Sequence, residues 1–400
     1  MSVTDARAKP PVRVALLSGA CVRYDAISYS MWLKLELLRS LRDSGNPIEV
    51  RAFVQGTDLD DPDIHVRALG DLLLDPDFSR SNVVVYEYGI AYDLFDSLFL
   101  LRDDQRSLGI YHNLTPLELV QSPAGRKGVR DGLLRRRNLA LLDHVACDSE
   151  FNRQDLIACG LPEERLSVLA LPPRVSLPRA DGVAWNVDPV KLLFVGRLVK
   201  AKGVHDLLEA AVQLGEEGER GFRLTLAGSV RWSESETIDL VRTAAADVKT
   251  GTVRIAVDPD DDALERLYRD SSVLVVPSYH EGYCLPVLEA FHAGCQVVAS
   301  DAGNLPSIVA ELGQVVETGN VPALAQALRR SIDAVRAVGA DRDAARIPTV
   351  AGELSLDEWH EVVARHLDRH SRERYEECFL GILRELGAEL ETGRAVASVT

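Results

Sequence analysis

Residues 273–306, VLVVPSYHEGYCLPVLEAFHAGCQVVASDAGNLP, constrain the fold more than any other part of the chain. Val273 to Val276 form an apolar run without polar alternation, as a parallel strand buried on both faces requires. The loop from Pro277 to Leu285 carries Glu281 beside Gly282. Pro286 suits the first position of a helix, where a missing N–H costs nothing. Glu289 is expected in the first turn of that helix, Gly294 at its end, and the next strand from Gln296 to Ala299. Strand, helix and strand in this order demand a parallel sheet, and open α/β sheets bind ligands beyond the C-terminal ends of their strands. Both carboxylates are aimed there. The helix start offers the N–H groups of Val287 and Leu288 and a partial positive charge, which suits an anion. Acids beside a phosphate would repel it, so Glu281 and Glu289 are better read as acceptors for neutral sugar hydroxyls. Gly282 lets the main chain come close to a ligand. The plainer alternative has Glu289 complementing the helix dipole and Glu281 solvated in its loop.

EGYCLPVLEA, within its frame of apolar strand, Pro-Ser, Ala-Gly and Val-Val-Ala-Ser, resembles the E-x7-E element of retaining glycosyltransferases of the GT-B fold, family 4. The resemblance implies that Glu281 reaches the hydroxyls of a donor sugar and Glu289 the ribose of its nucleotide. Gly282, Tyr283, Cys284 and Leu285 then belong to the donor-binding loop, although Cys284 stands where that family usually has Gly. Upstream, Lys191 to Val195 read as a strand followed by Gly196, Arg197, Leu198, Lys202 and Gly203. This G-R-L-x-x-x-K-G pattern resembles the diphosphate-binding pair of the same family. Arg supplies planar forked donors and Lys a point charge, so the two can hold a leaving diphosphate. The alternative is a pair of solvated cations. Gly228, after the strand Leu224 to Ala227, resembles a further donor contact.

The first half of the chain follows the same rhythm. Val12 to Leu17 read as a buried strand, Ser18 to Tyr29 as a loop, Met31 to Leu41 as a helix closed by Gly45, and Ile48 to Val54 as a second strand. That opening is Rossmann-like but lacks G-x-G-x-x-G, which argues against a dinucleotide on this half. Asp25 is read either as an acceptor-side hydrogen-bonding group or as a helix cap. Strands are also expected at Asn82 to Tyr88, Leu108 to His112 and Val145 to Cys147, with a helix from Glu150 to Ala158. YHNLTP (Tyr111–Pro116) is similar to the Y-H-N-I-T-P signature of a family 4 subset, which implies His112 near the donor's anomeric carbon and Asn113 on the acceptor side. A lone His at a strand end is otherwise commonly structural.

Four hundred residues exceed one ordinary core, so two domains are expected. The Pro-rich segment between Pro172 and Pro189 has linker composition. We therefore expect a Rossmann-like acceptor-side domain over 1–178, joined by about 372–400, and a Rossmann-like donor domain over 186–371. By resemblance the fold class is α/β, GT-B: two such domains facing each other across a crevice, with the C-terminal helix packing back on the first.

A net charge of −16 excludes a nucleic-acid partner as the first expectation, because neutralising phosphates needs a basic surface. No apolar run reaches the about 20 residues that span a bilayer, and the N-terminus has no secretory apolar region. Gly125 to Arg137 holds six basic residues, a solvated helix face that also offers peripheral contact with a membrane. The six cysteines, at 21, 147, 159, 284, 295 and 378, have no zinc-like spacing and read as buried thiols of a cytoplasmic protein. The resemblance implies a hexosyltransferase with no cofactor and no metal. Its donor is a nucleotide-diphosphate sugar, UDP- or GDP-sugars foremost, and its acceptor a hydroxyl compound. Glu281, His112, Arg197 and Lys202 are the expected catalytic residues. Two alternatives remain: a sugar-nucleotide 2-epimerase-like isomerase, and a non-catalytic binding subunit.

Overall fold

The computed structural model describes residues 11–174, 185, 188–229, 233–246 and 252–388. The expectations for the extreme N-terminus, for most of the Pro-rich linker and for the last twelve residues lie outside the described residues. The chain divides into two compact units: Met1–Leu114 with Ser122–Ala170 and Glu373–Thr400, and Thr115–Gln121 with Leu171–Arg372.

The first unit holds β1 (Val12–Ser18), β2 (Ile48–Val54), β3 (Ile64–Val66), β4 (Val83–Tyr88), β5 (Arg106–Tyr111), β6 (His144–Cys147) and β7 (Leu166–Val168). Their order is β3-β2-β1-β4-β5-β6-β7, all parallel. The second unit holds β8 (Val190–Val195), β9 (Phe222–Gly228), β10 (Thr252–Val257), β11 (Val273–Val276), β12 (Gln296–Ser300) and β13 (Gln314–Val316). These run β10-β9-β8-β11-β12-β13, again all parallel. Both are doubly wound sheets. The order reverses between β1 and β4 in one unit and between β8 and β11 in the other, and such switch points are where these sheets take ligands. The central strands β4 and β11 are buried along their whole length, which is why their sequences show no alternation.

The first long helix, Ala26–Asp43, starts five residues before the expected Met31. The stretch Ala26–Ser30 shows no clear apolar period, but Asp25 caps the helix by accepting the Ser28 N–H at 2.8 Å. At the other end of the chain, the helices Leu356–Arg369 and Arg372–Glu385 are separated at His370 and Ser371. The second of them returns to the first unit, as expected, and sets Tyr375 and Phe379 5.7 and 5.8 Å from the Lys34 ammonium.

The basic stretch 125–137 lies on the helix Pro123–Arg135 and the turn that follows. Lys127, Arg135 and Arg136 pair with Asp131, Asp96 and Asp155 in the same unit. All six cysteines are free, but Cys378 is exposed, which corrects the expectation of uniformly buried thiols. Among the described residues no helix is long and apolar enough to cross a membrane.

Candidate functional site

At the switch point of the second unit two loops touch. The loop after β8 runs through Gly196 and Arg197 to a short turn at Lys200–Lys202, and Gly203 then starts the helix Val204–Glu216 at a φ of 67°. A Cβ at Gly203 would lie 1.9 Å from the Pro277 carbonyl oxygen, so only glycine lets this loop approach the one after β11. The Tyr279 N–H closes the contact by donating to the Ala201 carbonyl at 2.9 Å. Gly228 is required for the same reason, since a Cβ there would meet the Gly196 carbonyl at 2.0 Å.

This approach brings Lys202 Nζ within 2.7 Å of Glu281 Oε1, and Ser278 Oγ donates to the same oxygen at 2.7 Å. The Lys202 and Glu281 side chains remain 21% and 12% exposed, so neither is sealed from a ligand. Arg197 stands exposed at the end of β8 and, among the described residues, its guanidinium makes no hydrogen bond or ion pair. Asn304 holds the loop from below: its N–H donates to the Glu281 carbonyl at 2.8 Å and its amide to the Tyr283 carbonyl at 3.2 Å.

The following helix departs from expectation. It spans Leu285–Ala293, so Pro286 is its second residue and Glu289 its fifth, outside the first turn. The Val287 N–H is not free either, because it donates to the Cys284 carbonyl at 3.2 Å. Cys284 caps the helix at a φ of 81°, a left-handed conformation that costs a non-glycine residue about 1–2 kcal/mol. Its thiol is held well above the ordinary value by burial. Gly294 ends the helix as expected, at a φ of 80°. Glu289 is buried, accepting from Tyr268 Oη at 2.7 Å, with Arg174 Nε 4.0 Å from its other oxygen. Its place beyond the first turn removes the dipole-complement reading. Tyr283 and Leu285 are buried too, and only Gly282 and Cys284 of the expected loop residues are partly open.

In the first unit the charges gather beside the switch point, at the ends of β4, β5 and β6, and the arrangement differs. His112 follows β5 and offers Nδ1 to Asp148 Oδ2 and Nε2 to Glu87 Oε2, both at 2.7 Å. Lys34 Nζ lies 3.0 Å from the other Glu87 oxygen and donates to Ser30 Oγ at 2.6 Å. Burial opposes charge on His112, but the carboxylates of Asp148 and Glu87 outweigh it and hold the imidazole up to about 9. Burial likewise opposes the Glu87 charge, and Lys34 and His112 overcome it to keep that carboxyl below its ordinary value. With both ring nitrogens donating, His112 is an imidazolium and offers no lone pair for base catalysis. Asn113, at a φ of 71°, donates to Asn152 Oδ1 at 2.8 Å and accepts from the Leu114 N–H at 2.7 Å. Asp25 accepts from both the Ser28 N–H and its hydroxyl, so it is the helix cap.

Sequence reasoning passed over Ser278, Tyr268, Arg174, Lys34, Glu87 and Asp148. Two of these carry a local signal. Lys34 falls on the buried stripe of Met31, Leu35 and Leu38, and Glu87 interrupts an otherwise apolar strand. A charge in either place demands a partner.

Comparison with known proteins bears on the second unit. Residues 180–334 match the family described as glycosyl transferases group 1. The O-antigen chain mannosyltransferase B of Escherichia coli is 31% identical over 35% of this chain and 36% of its own length. A D-inositol 3-phosphate glycosyltransferase of Acidothermus cellulolyticus is 33% identical over 37% of this chain and 34% of its own. The chain thus spans about a third of the length of these curated relatives. Across the whole chain the likeness is one of fold. The sucrose-phosphate synthase from Thermosynechococcus elongatus superposes with a TM-score of 0.66 at 20% identity, covering 95% of this chain and all of that one. A trehalose-6-phosphate protein from E. coli, bound with UDP-2-fluoro glucose, gives 0.65 at 14% identity over 93% of this chain and 99% of its own. Two Rossmann-like units of the GT-B type therefore make up the fold, and the similarity to glycosyl transferases group 1 lies in residues 180–334.

Proposed function

We propose that the chain is a retaining glycosyltransferase that moves a hexose from a nucleotide-diphosphate sugar to an acceptor hydroxyl without a metal ion. The observation that carries this reading is the placing of Arg197, Lys202 and Glu281 around the β8/β11 switch point. Arg197 and Lys202 would grip the diphosphate. Glu281, already accepting two hydrogen bonds on one oxygen, keeps the other for a sugar hydroxyl, and Glu289 would serve the ribose.

As the bond from the anomeric carbon to the diphosphate oxygen breaks, negative charge grows on the phosphate, where the two cations stabilise it. Removing one preorganised partner of this kind costs about 2.7–4 kcal/mol of barrier. The acceptor oxygen bonds to the anomeric carbon on the face the leaving group vacates, and its proton passes to a phosphate oxygen. No protein base is required, which agrees with a His112 that has no lone pair to offer. The free thiols favour a reducing compartment, and we place the protein in the cytoplasm.

The test begins with a thermal-shift panel of UDP-, GDP-, ADP- and dTDP-sugars, since a bound donor stabilises by mass action. UDP- and GDP-sugars head the panel. One relative, from Xanthomonas campestris, is named as a GDP-mannose-dependent mannosyltransferase, and one solved structure is described with a UDP-sugar analogue. The stabilising donor, labelled in its sugar, is then incubated with acceptor extracts. Label transferred with retained configuration supports the reading. An isomerised donor, or binding without turnover, rejects it.

A further inference from the structure

Tyr283 lies two residues from Glu281, yet its side chain turns away from the open side of the loop. Its hydroxyl donates to the Leu171 carbonyl at 2.6 Å and lies 2.9 Å from His370 Nδ1. A phenol has one proton, and the carbonyl can only accept it. His370 must therefore carry its hydrogen on Nδ1 and donate to the phenolic oxygen. The imidazole is neutral, since burial and the nearby His366 and Arg369 push it down to about 4.

The identity of the two partners matters. The chain enters the second unit twice, at Thr115 and at Leu171; Leu171 opens the longer passage, and His370 lies three residues before Glu373, where that passage ends. One hydroxyl thus ties the Glu281 loop to both ends of that passage at once. A second contact runs the same way: Arg174, three residues beyond Leu171, reaches to within 4.0 Å of Glu289. Each of the two acids proposed to hold the donor is therefore joined, directly or through Tyr283, to the segment 171–174. The ring of Tyr283 also meets that of His370, with centroids 6.2 Å apart.

We propose that Tyr283 is a positioning residue that carries the occupancy of the Glu281 loop to the two chain crossings, at 170–174 and 369–373. The inference rests on the reading that this loop binds the donor. When a nucleotide orders the loop, the Tyr283 hydroxyl is fixed with it, and the Leu171 carbonyl and His370 ring are fixed in turn. With the hydroxyl removed, the loop still binds, but the crossings no longer register it.

The experiment is hydrogen exchange on the full chain, wild type and Tyr283→Phe, with and without UDP or GDP in separate arms. Peptides over 278–286 report the loop, and those over 168–174 and 368–374 report the crossings. In the wild type, whichever nucleotide slows the loop also slows both crossings, by about five-fold, the size of one hydrogen bond. In Tyr283→Phe the loop still slows and the crossings do not. His370→Asn, whose amide nitrogen takes the place of the ring donor, restores at least part of the response at 368–374 relative to His370→Phe. Loop protection without protection of the crossings in the wild type, or crossing protection unchanged in Tyr283→Phe, overturns the coupling while leaving donor binding intact. No protection of the loop by either nucleotide overturns the coupling together with the donor-site reading beneath it.

Discussion

In the first unit, Lys34, Glu87, His112 and Asp148 gather where β4, β5 and β6 end, and none of their side chains is more than 5% exposed. In the second, Lys202 and Glu281 meet after β8 and β11, and both remain open to solvent. The strand order that delivers these charges is the same in both sheets over six strands, and the first sheet adds β7 at one edge. The difference lies in how their hydrogen-bonding capacity is used. In the first cluster each cation is matched by a carboxylate and each ring nitrogen by an acceptor, and the one Asp148 oxygen without a hydrogen bond is buried, so little is within reach of a ligand. In the second, Arg197 stands apart and one Glu281 oxygen has no donor among the described residues. A switch point is thus a place where charge is brought together. Whether it becomes a binding site depends on how much of that charge the fold satisfies by itself.

The sharpest way to break this comparison is to remove a partner from the closed cluster. Lys34→Met leaves Glu87 buried without its ammonium, and the expected loss of stability is about 3–5 kcal/mol in denaturant unfolding. Replacing both members, Lys34→Met with Glu87→Gln, recovers much of that loss, because the cost lies in the orphaned charge. A loss below about 1 kcal/mol in the single variant would mean that the first cluster is not sealed in the way its geometry describes.

The same operation in the open cluster has a different readout. Lys202→Ala and Glu281→Ala keep the unfolding transition close to wild type, while transfer from the nucleotide sugar falls by about 10²–10³-fold. Wild-type rates in either variant reject the assignment of the site.

Dependence on pH separates the two regions next. The His112 pKa is raised from 6.5 to about 9 in the folded chain, so its contribution is complete below pH 6.5 and is lost as the pH rises towards 9. The Glu87 pKa is lowered from 4.5, so its contribution is present above pH 4.5 and is lost as the pH falls below it. The cluster therefore stabilises most between pH 4.5 and 6.5. On the alkaline limb, stability should drop by about 2–3 kcal/mol in urea melts repeated across pH. His112→Gln flattens that limb, and a wild-type profile already flat from 6.5 to 9 would show that the imidazolium is not held.

The smallest effect is expected at the cap of the Glu289 helix. Cys284 adopts a backbone conformation suited to glycine, so Cys284→Gly should raise stability by about 0.5–1 kcal/mol, visible as a small increase in Tm. A decrease would mean that packing of the buried thiol outweighs the backbone strain.

Local sequence decided the elements and left their partnerships open. The apolar runs within β4, β8 and β11 read as strands of a buried parallel sheet, and Gly294 could end a helix because it tolerates a positive φ. The positions of Glu281, Lys202 and Arg197 at strand ends follow from the same runs. Where the apolar period is weak, as over Ala26–Ser30, the pattern places the helix start too late, and of the two readings of Asp25 the structure bears out the cap. His112 illustrates the larger limit. Its place after β5 is legible in the chain, but the carboxylates that bind its two nitrogens lie 25 and 36 residues away and meet it only because β4 and β6 flank β5. Lys202 and Glu281 are 79 residues apart and are joined by a glycine against a carbonyl oxygen. Periodicity reports which face of an element is buried, whereas strand order and the close approach of loops decide which charges are neutralised inside and which stay available to a ligand.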